Sequence, residues 1–439
     1  MSDRGDSPRE QVVDWVERDA SVVWHGFTQM SCFAQNAPVI VDRAEGRELI
    51  AVDGSRYLDA ISSLWVNTLG HHVPELDDAL RGQLDHVAHS TLLGNGNRTT
   101  IEFAEALARV VPVREPHILF ASDGAAAVEQ ALKIAFQYWT NQGETTRNTF
   151  LALGNAYHGD TVGSISLGSG GFGTDVFEPL RFPVLRSPGY DDPAWADRAI
   201  ELIQSNANVL AAIVIEPLVQ GAAGMLVTDP TSVARVARAC QQTGLLLIAD
   251  EVATGFGRTG TLFASEQCGI EPDLLCVGKG ITGGYLPLAG TVASQHVYDA
   301  FLGPDLSAAT FYHGHSYSGN ALACAVARAH LEILARGDVL TNVRERAVQL
   351  EDALATLVSV HDGVRAVRQC GLMVGVELAP PSSDMRWGRR VCAAAVERGV
   401  LLRPLGDVVV LMPILTSTAD EIDRIVDTLA AAISEVASQ

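Results

Sequence analysis

Two acid and base positions at strand ends carry the most chemistry in this chain. Lys279 lies in Leu274-Leu-Cys-Val-Gly-Lys279-Gly-Ile-Thr-Gly-Gly284, an apolar run flanked by glycine. Only one other lysine is present, Lys133, and the remaining cationic side chains are arginines. A lysine withdrawn from water has a lowered pKa and can condense with a carbonyl. Upstream, Leu245-Leu-Leu-Ile-Ala-Asp250 reads as an apolar strand ending in an acid. A strand-end Asp followed by a strand-end Lys is the pair that pyridoxal phosphate needs. The acid keeps the pyridinium nitrogen protonated, and the lysine holds the aldehyde. Taken alone, the same pair also reads as a helix-capping acid and a snorkelling lysine.

Other segments add to this pair. Phe120-Ala-Ser-Asp-Gly124-Ala125 joins a strand to a long helix, so the amides of Gly124 and Ala125 offer a phosphate site; a plain strand–helix turn is the alternative. In Asn155-Ala-Tyr157-His158-Gly159-Asp160, Tyr157 can stack on a flat ring while His158 and Asp160 extend a hydrogen-bond network. A polar loop with one packed tyrosine reads equally well. Glu216 ends another strand, as partner of an arginine or of a polar cofactor edge. Val252, two residues beyond Asp250, can pack on the ring face opposite Tyr157. Phe311–Asn320 contains Gly314 and Ser316; its amides and the Ser316 hydroxyl can hold a phosphate, or it is a polar loop before a helix. Arg403 stands in an apolar segment and calls for a carboxylate, a substrate's or the protein's own.

The elements that must position these residues follow from patterning. Apolar strands are expected at His117–Ala121, Thr149–Leu153, Ala211–Glu216, Gly244–Asp250 and Asp273–Val277. Between the first two, Val128, Ala131, Leu132, Ala135, Phe136 and Trp139 recur at helical spacing as one apolar stripe. Such alternation predicts an α/β fold with a mainly parallel sheet, whose ligands gather at the carboxyl ends of the strands. Short strands at Val364–Val367, Leu372–Leu378 and Val408–Met412 precede a last helix opening with the capping-box pattern Thr418-Ala-Asp-Glu421. Its expected buried face is Ile422, Ile425, Val426, Leu429, Ile433 and Val436. Near the N-terminus a hairpin is expected between Val39–Asp42 and Glu48–Val52, followed by an Asp53-Gly54 turn. The expected division is a large domain over 86–335 and a small one assembled from 1–85 and 336–439.

The 439 residues carry a net charge of −21, which argues against nucleic acid and anionic membranes. The polar first residues and the lack of a long apolar run predict no signal peptide and no membrane span. Seven cysteines, an odd number without Cys-x-x-Cys spacing, predict reduced thiols, a cytoplasmic setting and no metal site.

Together these stretches resemble the class III aminotransferases of the fold-type I pyridoxal-phosphate superfamily. The signature runs from Leu247 to Leu288 through Ala249-Asp-Glu-Val252, Thr254-Gly-Phe-Gly-Arg-Thr-Gly260 and Gly278-Lys279-Gly280. The resemblance implies a large domain with a mainly parallel seven-stranded sheet plus a small α+β domain. Trp24-His-Gly-Phe-Thr-Gln-Met30, Asp59-Ala-Ile-Ser-Ser-Leu-Trp65, His89-Ser-Thr-Leu-Leu93 and Leu402-Arg-Pro404 resemble the branch that converts 8-amino-7-oxononanoate to 7,8-diaminononanoate in biotin synthesis; a branch acting on ω-amino acids or diamines is the alternative. It further implies that Lys279 binds the cofactor and shuttles a proton, and that Asp250 pairs with the ring nitrogen. Tyr157 and Val252 sandwich the ring, with His158 and Glu216 beside it. Gly124 and Ala125 hold the phosphate with Ser316 of the partner subunit, in a homodimer with interfacial active sites. Phe27, Leu64, Trp65, Asp160, Gly314 and Arg403 are implied to line the substrate cleft, with Arg403 on the keto acid's carboxylate. Departures are Asp123 for a small residue, Ala126 for Glu, His315 for Pro and Ser316 for Thr. Leu64 and Phe27 replace Trp and Tyr, a pattern resembling a lysine-using branch, so the donor is S-adenosylmethionine or lysine.

Overall fold

The computed structural model describes residues 8–36, 38–169 and 173–439. At its centre seven strands run in the order His117–Ala121, Ala289–Ala293, Leu274–Val277, Leu246–Asp250, Leu210–Ile215, Thr149–Leu153, Val184–Ser187. Ala289–Ala293 is antiparallel to both neighbours, and the other adjacent pairs are parallel. Leu210–Ile215 is buried at every position, as a strand covered on both faces must be. In Leu246–Asp250, Leu246 and Ile248 pack with the long helix while Leu247 joins the cluster on the other side. Successive side chains thus serve opposite faces.

The five expected central strands form, within two residues of their expected bounds. Two more complete the sheet. Val184–Ser187 is short and lies at its edge. Ala289-Gly-Thr-Val-Ala293 turns Ala289, Thr291 and Ala293 to the long helix, which lies close enough that Thr291 Oγ1 donates to Ala127 O at 2.6 Å, while Val292 packs on the other face. That helix, Gly124–Asn141, buries Val128, Ala131, Leu132, Ala135 and Trp139. Phe136 departs from expectation: it stands at the margin of the stripe and is 48% exposed.

At the N-terminal end, Val41–Glu45, Glu48–Ala51 and Arg56–Asp59 form a meander. The first strand starts two residues later than expected, and Asp53-Gly54 turns the chain into the third strand, Gly54 at φ 83°. Val400–Leu401 then pairs in parallel with Arg56–Asp59, so a C-terminal segment extends a sheet begun near the N-terminus. A separate antiparallel sheet has the order Val364–Cys370, Met373–Leu378, Val408–Leu411, Arg403–Leu405. The last helix, Ala419–Ala437, has the reciprocal Thr418–Glu421 cap, and all six expected face residues are buried. Among the described residues no helix is long and apolar enough to cross a membrane.

Candidate active site

The parallel strands deliver their ends to one edge of the sheet. Ala121 leads to Gly124, Leu153 to Tyr157, Ile215 to Glu216 and Val277 to Lys279, while Asp250 ends its own strand. Asp250 is in register with Cys276, three residues before Lys279.

Asp250 is buried. Its Oδ2 lies 2.6 Å from His158 Nδ1, and its Oδ1 accepts the Val252 amide at 3.0 Å. Burial opposes charge on His158, but the hydrogen bond and charge of Asp250, with the charge of Glu216, outweigh it and hold the imidazole pKa above its ordinary value. The other ring nitrogen, Nε2, is buried and has no protein partner among the described residues.

Lys279 opens a short 3₁₀ turn with φ 44°. Its glycine neighbours reflect close packing: a Cβ on Gly280 would lie 3.1 Å from Thr68 Cγ2 and 3.2 Å from Phe256 Cβ. Burial lowers the Lys279 pKa; Asp250 and Glu216 oppose this, and the Arg258 charge reinforces it. Nζ lies 4.7 Å from the centre of the Trp65 ring.

Gly124 is required sterically, since a Cβ there would come within 2.6 Å of Val252 Cγ1. Gly159, at φ 119°, lets the Tyr157 loop lie on the first turn of the long helix, where a Cβ would stand 2.4 Å from Ala125 Cβ. Asp123 caps this helix by accepting the Ala126 amide at 2.9 Å, which leaves the Gly124 and Ala125 amides at the helix start. A cavity of about 330 Å³ is lined by Val66, Ser122, Gly124, Lys279 and Tyr285 among others.

Tyr157 donates its hydroxyl to Asp160 Oδ2 at 2.8 Å, and burial followed by Asp160 raises its pKa. Glu216 has no arginine partner among the described residues, contrary to one expected reading. It is buried and accepts the amides of Tyr157 and Gly221, each at 3.2 Å, so it fastens two loops. Burial pushes its pKa up to about 7, with Asp250 adding to the rise and His158 opposing it.

Trp65 is carried on a strained strap. Ser62, Ser63, Leu64 and Trp65 have φ of 50, 60, 151 and 67°. Non-glycine residues in such conformations cost about 1–3 kcal/mol each and persist only where their surroundings enforce them. The buried ring lies over Gly221, whose Cβ would be 3.2 Å from Trp65 Cζ3. Arg403 pairs with Val410 in its strand and makes no ion pair with a carboxylate among the described residues. Its charge reaches Tyr157.

Lys279, Asp250, His158, Tyr157, Asp160, Glu216, Val252, Gly124, Ala125 and Trp65 are thus linked by strand ends, hydrogen bonds and close contacts. Leu64 is 45% exposed beside Trp65, and Phe27 is 68% exposed. Gly314 and Ser316 lie on an exposed segment, where Ser316 O accepts from His89 Nε2 at 2.6 Å. No hydrogen bond or ring contact among the described residues ties Phe27, Gly314 or Ser316 to the Lys279 group. Arg258 lies in the signature, yet nothing in its sequence neighbours marks a role for it. It is wholly buried and donates to Pro413 O and Asn67 O, each at 2.7 Å, while burial lowers its pKa to about 10. Its partners lie 155 and 191 residues away, beyond any local pattern.

The family profile "Aminotransferase class-III" matches residues 30–433. The adenosylmethionine-8-amino-7-oxononanoate aminotransferase of Nitratidesulfovibrio vulgaris is 45% identical, over 95% of this chain and 81% of that protein. The Geobacter sulfurreducens protein of the same name is 40% identical, over 96% and 97%. The solved structure of the Methanocaldococcus jannaschii protein of that name superposes with a TM-score of 0.93 at 37% identity, over 97% of this chain and 99% of that one. An amine transaminase from an uncultivated Pseudomonas species, solved in its pyridoxal-phosphate-bound form, gives 0.89 at 33% identity, over 94% and 98%. With the strand-end acid and lysine set in this fold and the family match extending over nearly the whole chain, the protein belongs to the class III aminotransferases, which depend on pyridoxal phosphate.

Proposed function

We propose that the chain transfers an amino group to 8-amino-7-oxononanoate, giving 7,8-diaminononanoate in biotin synthesis, with S-adenosylmethionine or lysine as donor. The observation that carries this reading is the near-full-length identity to relatives named for that acceptor.

The site's residues fit pyridoxal phosphate. His158 Nε2 is buried without a protein partner among the described residues, Gly124 lets the helix start pack directly on Val252, and an acid and a lysine stand at neighbouring strand ends. When bound, this cofactor supplies an electron sink for charge developing at the substrate carbon. Asp250, steadied by His158, would keep a proton on the ring nitrogen. The Gly124 and Ala125 amides would hold the phosphate, with Val252 and Tyr157 flanking the ring. Lys279 Nζ would hold the aldehyde and, once released as a free amine with lowered pKa, would carry the proton between the substrate carbon and the former aldehyde carbon. Arg403 binds the acceptor's carboxylate across an apolar cleft that Trp65 walls, with Leu64, Phe27 and Asp160 toward its mouth.

The working form in this reading is a homodimer in the cytoplasm, with a large domain over 86–335 and a small one from both chain ends. The exposed Gly314–Ser316 segment serves the neighbouring copy. Exposed Phe136 and Tyr312 beside a groove of about 1200 Å³ support a partner on this face. Seven free thiols suit a reducing compartment.

Product analysis by mass spectrometry tests the reading. The chain is expected to form 7,8-diaminononanoate with one of the two donors. Preference for ω-amino acids or diamines, with no diaminononanoate formed, would assign it to another branch of the class.

A further inference from the structure

We infer that Asp59 is a positioning residue for the acceptor cleft, acting through the Ser62–Trp65 strap; this rests on the proposed acceptor reading. Four successive non-glycine residues with φ between 50 and 151° need an external restraint. Asp59 supplies one. It ends the strand Arg56–Asp59 and pairs in register with Leu401, two residues before Arg403. Its side chain is fully buried, and both oxygens serve a single strap residue. Oδ1 accepts the Ser63 amide at 2.9 Å, and Oδ2 accepts the Ser63 hydroxyl at 2.7 Å. His71 Nε2 stands 3.7 Å from Oδ2, and no arginine or lysine forms an ion pair with this carboxylate among the described residues.

A carboxylate only accepts, so it can satisfy both Ser63 donors at once; an asparagine in the same pose turns one donor toward another. On the other side of the strap, Ser62 Oγ donates to Met412 O at 2.6 Å. These bonds hold the Trp65 ring over Gly221 and 4.7 Å from Lys279 Nζ. Asp59 thereby ties the wall of the cleft to the chain segment that carries Arg403, and fixes the space between lysine and arginine in which a long acceptor lies.

The test uses Asp59→Ala and Asp59→Asn holoenzymes, with 8-amino-7-oxononanoate and a short oxo acid such as pyruvate as acceptors, and hydrogen exchange over residues 60–67. Loss of a charge-assisted restraint is expected to raise KM for the long acceptor about tenfold in Asp59→Ala, with kcat within about threefold. Turnover of the short acceptor is expected to stay at the wild-type level. Asp59→Asn, which keeps one acceptor oxygen, falls between. Exchange rises over 60–67 while bound cofactor is unchanged. Wild-type KM and exchange in Asp59→Ala would overturn the inference. So would an equal loss with both acceptors accompanied by loss of cofactor, which marks a general fold defect. If Asp59→Ala does not fold, Asp59→Asn and Ser63→Ala give the same readouts. A wild-type chain that rejects 8-amino-7-oxononanoate overturns the acceptor reading instead, and exchange over 60–67 with the KM of the acceptor it prefers still decides the role of Asp59.

Discussion

His158 Nδ1 stands 2.6 Å from Asp250 Oδ2, with both side chains buried at the end of the central strand. Breaking a buried charged pair on one side costs about 3–5 kcal/mol, which corresponds to roughly 10²–10⁴ in rate if the cost falls on the transition state. Asp250→Asn is therefore expected to lower kcat by about that factor. His158→Asn, which leaves the carboxylate in place, is expected to cost about tenfold. Single-turnover absorbance of the bound cofactor checks both.

Glu216 introduces a pH dependence of stability. Its folded pKa of about 7 lies above the ordinary 4.5, so its contribution is complete below about pH 4.5 and is lost as pH rises through 7. Relative to Glu216→Gln, the wild-type chain is expected to lose about 3 kcal/mol across this window. Urea unfolding of both proteins at pH 5 and pH 8.5 measures the change.

Gly124→Ala drives a methyl group into Val252 Cγ1, at 2.6 Å before any adjustment. Overpacking of this kind costs about 1–3 kcal/mol, and here it also displaces the first helical amides. The variant is expected to hold pyridoxal phosphate at least about tenfold more weakly. Adding Val252→Ala is expected to restore stability in part, a coupling that a double-mutant cycle reads directly.

Arg403 has no carboxylate partner within the described protein, so its charge is available to a ligand. Removing a charged hydrogen-bond partner costs about 2–5 kcal/mol. Arg403→Met is expected to lower kcat/KM for 8-amino-7-oxononanoate about 10²-fold while leaving acceptors without a distal carboxylate within about threefold.

Much of this site was legible because its pieces sit next to patterns that sequence displays. Lys279 stood out as one of two lysines, in an apolar run, and Asp250 as the acid ending an apolar strand. The last helix was readable from both ends of its cap, Thr418 and Glu421. What remained hidden depends on distance or shape. Ala289–Ala293 has small side chains on the face under a helix, leaving Val292 as its one large apolar residue, too little to show a strand's alternation. The positive φ angles of Ser62–Trp65 have no glycine to announce them. Glu216 resembled a salt-bridge acid, but its partners are main-chain amides, which sequence does not mark. Arg258 bonds to carbonyls brought near only by the completed fold.

One half-reaction decides whether Lys279 and its neighbours move an amino group onto 8-amino-7-oxononanoate. The enzyme is prepared with pyridoxamine phosphate, the keto acid is added, and cofactor absorbance is followed in wild type and in Lys279→Ala. Rapid return of the pyridoxal-form absorbance is expected in the wild type, and none on that timescale in Lys279→Ala. Full turnover in Lys279→Ala would contradict the mechanism. A wild-type enzyme that answers simple aldehydes but not 8-amino-7-oxononanoate would contradict the acceptor.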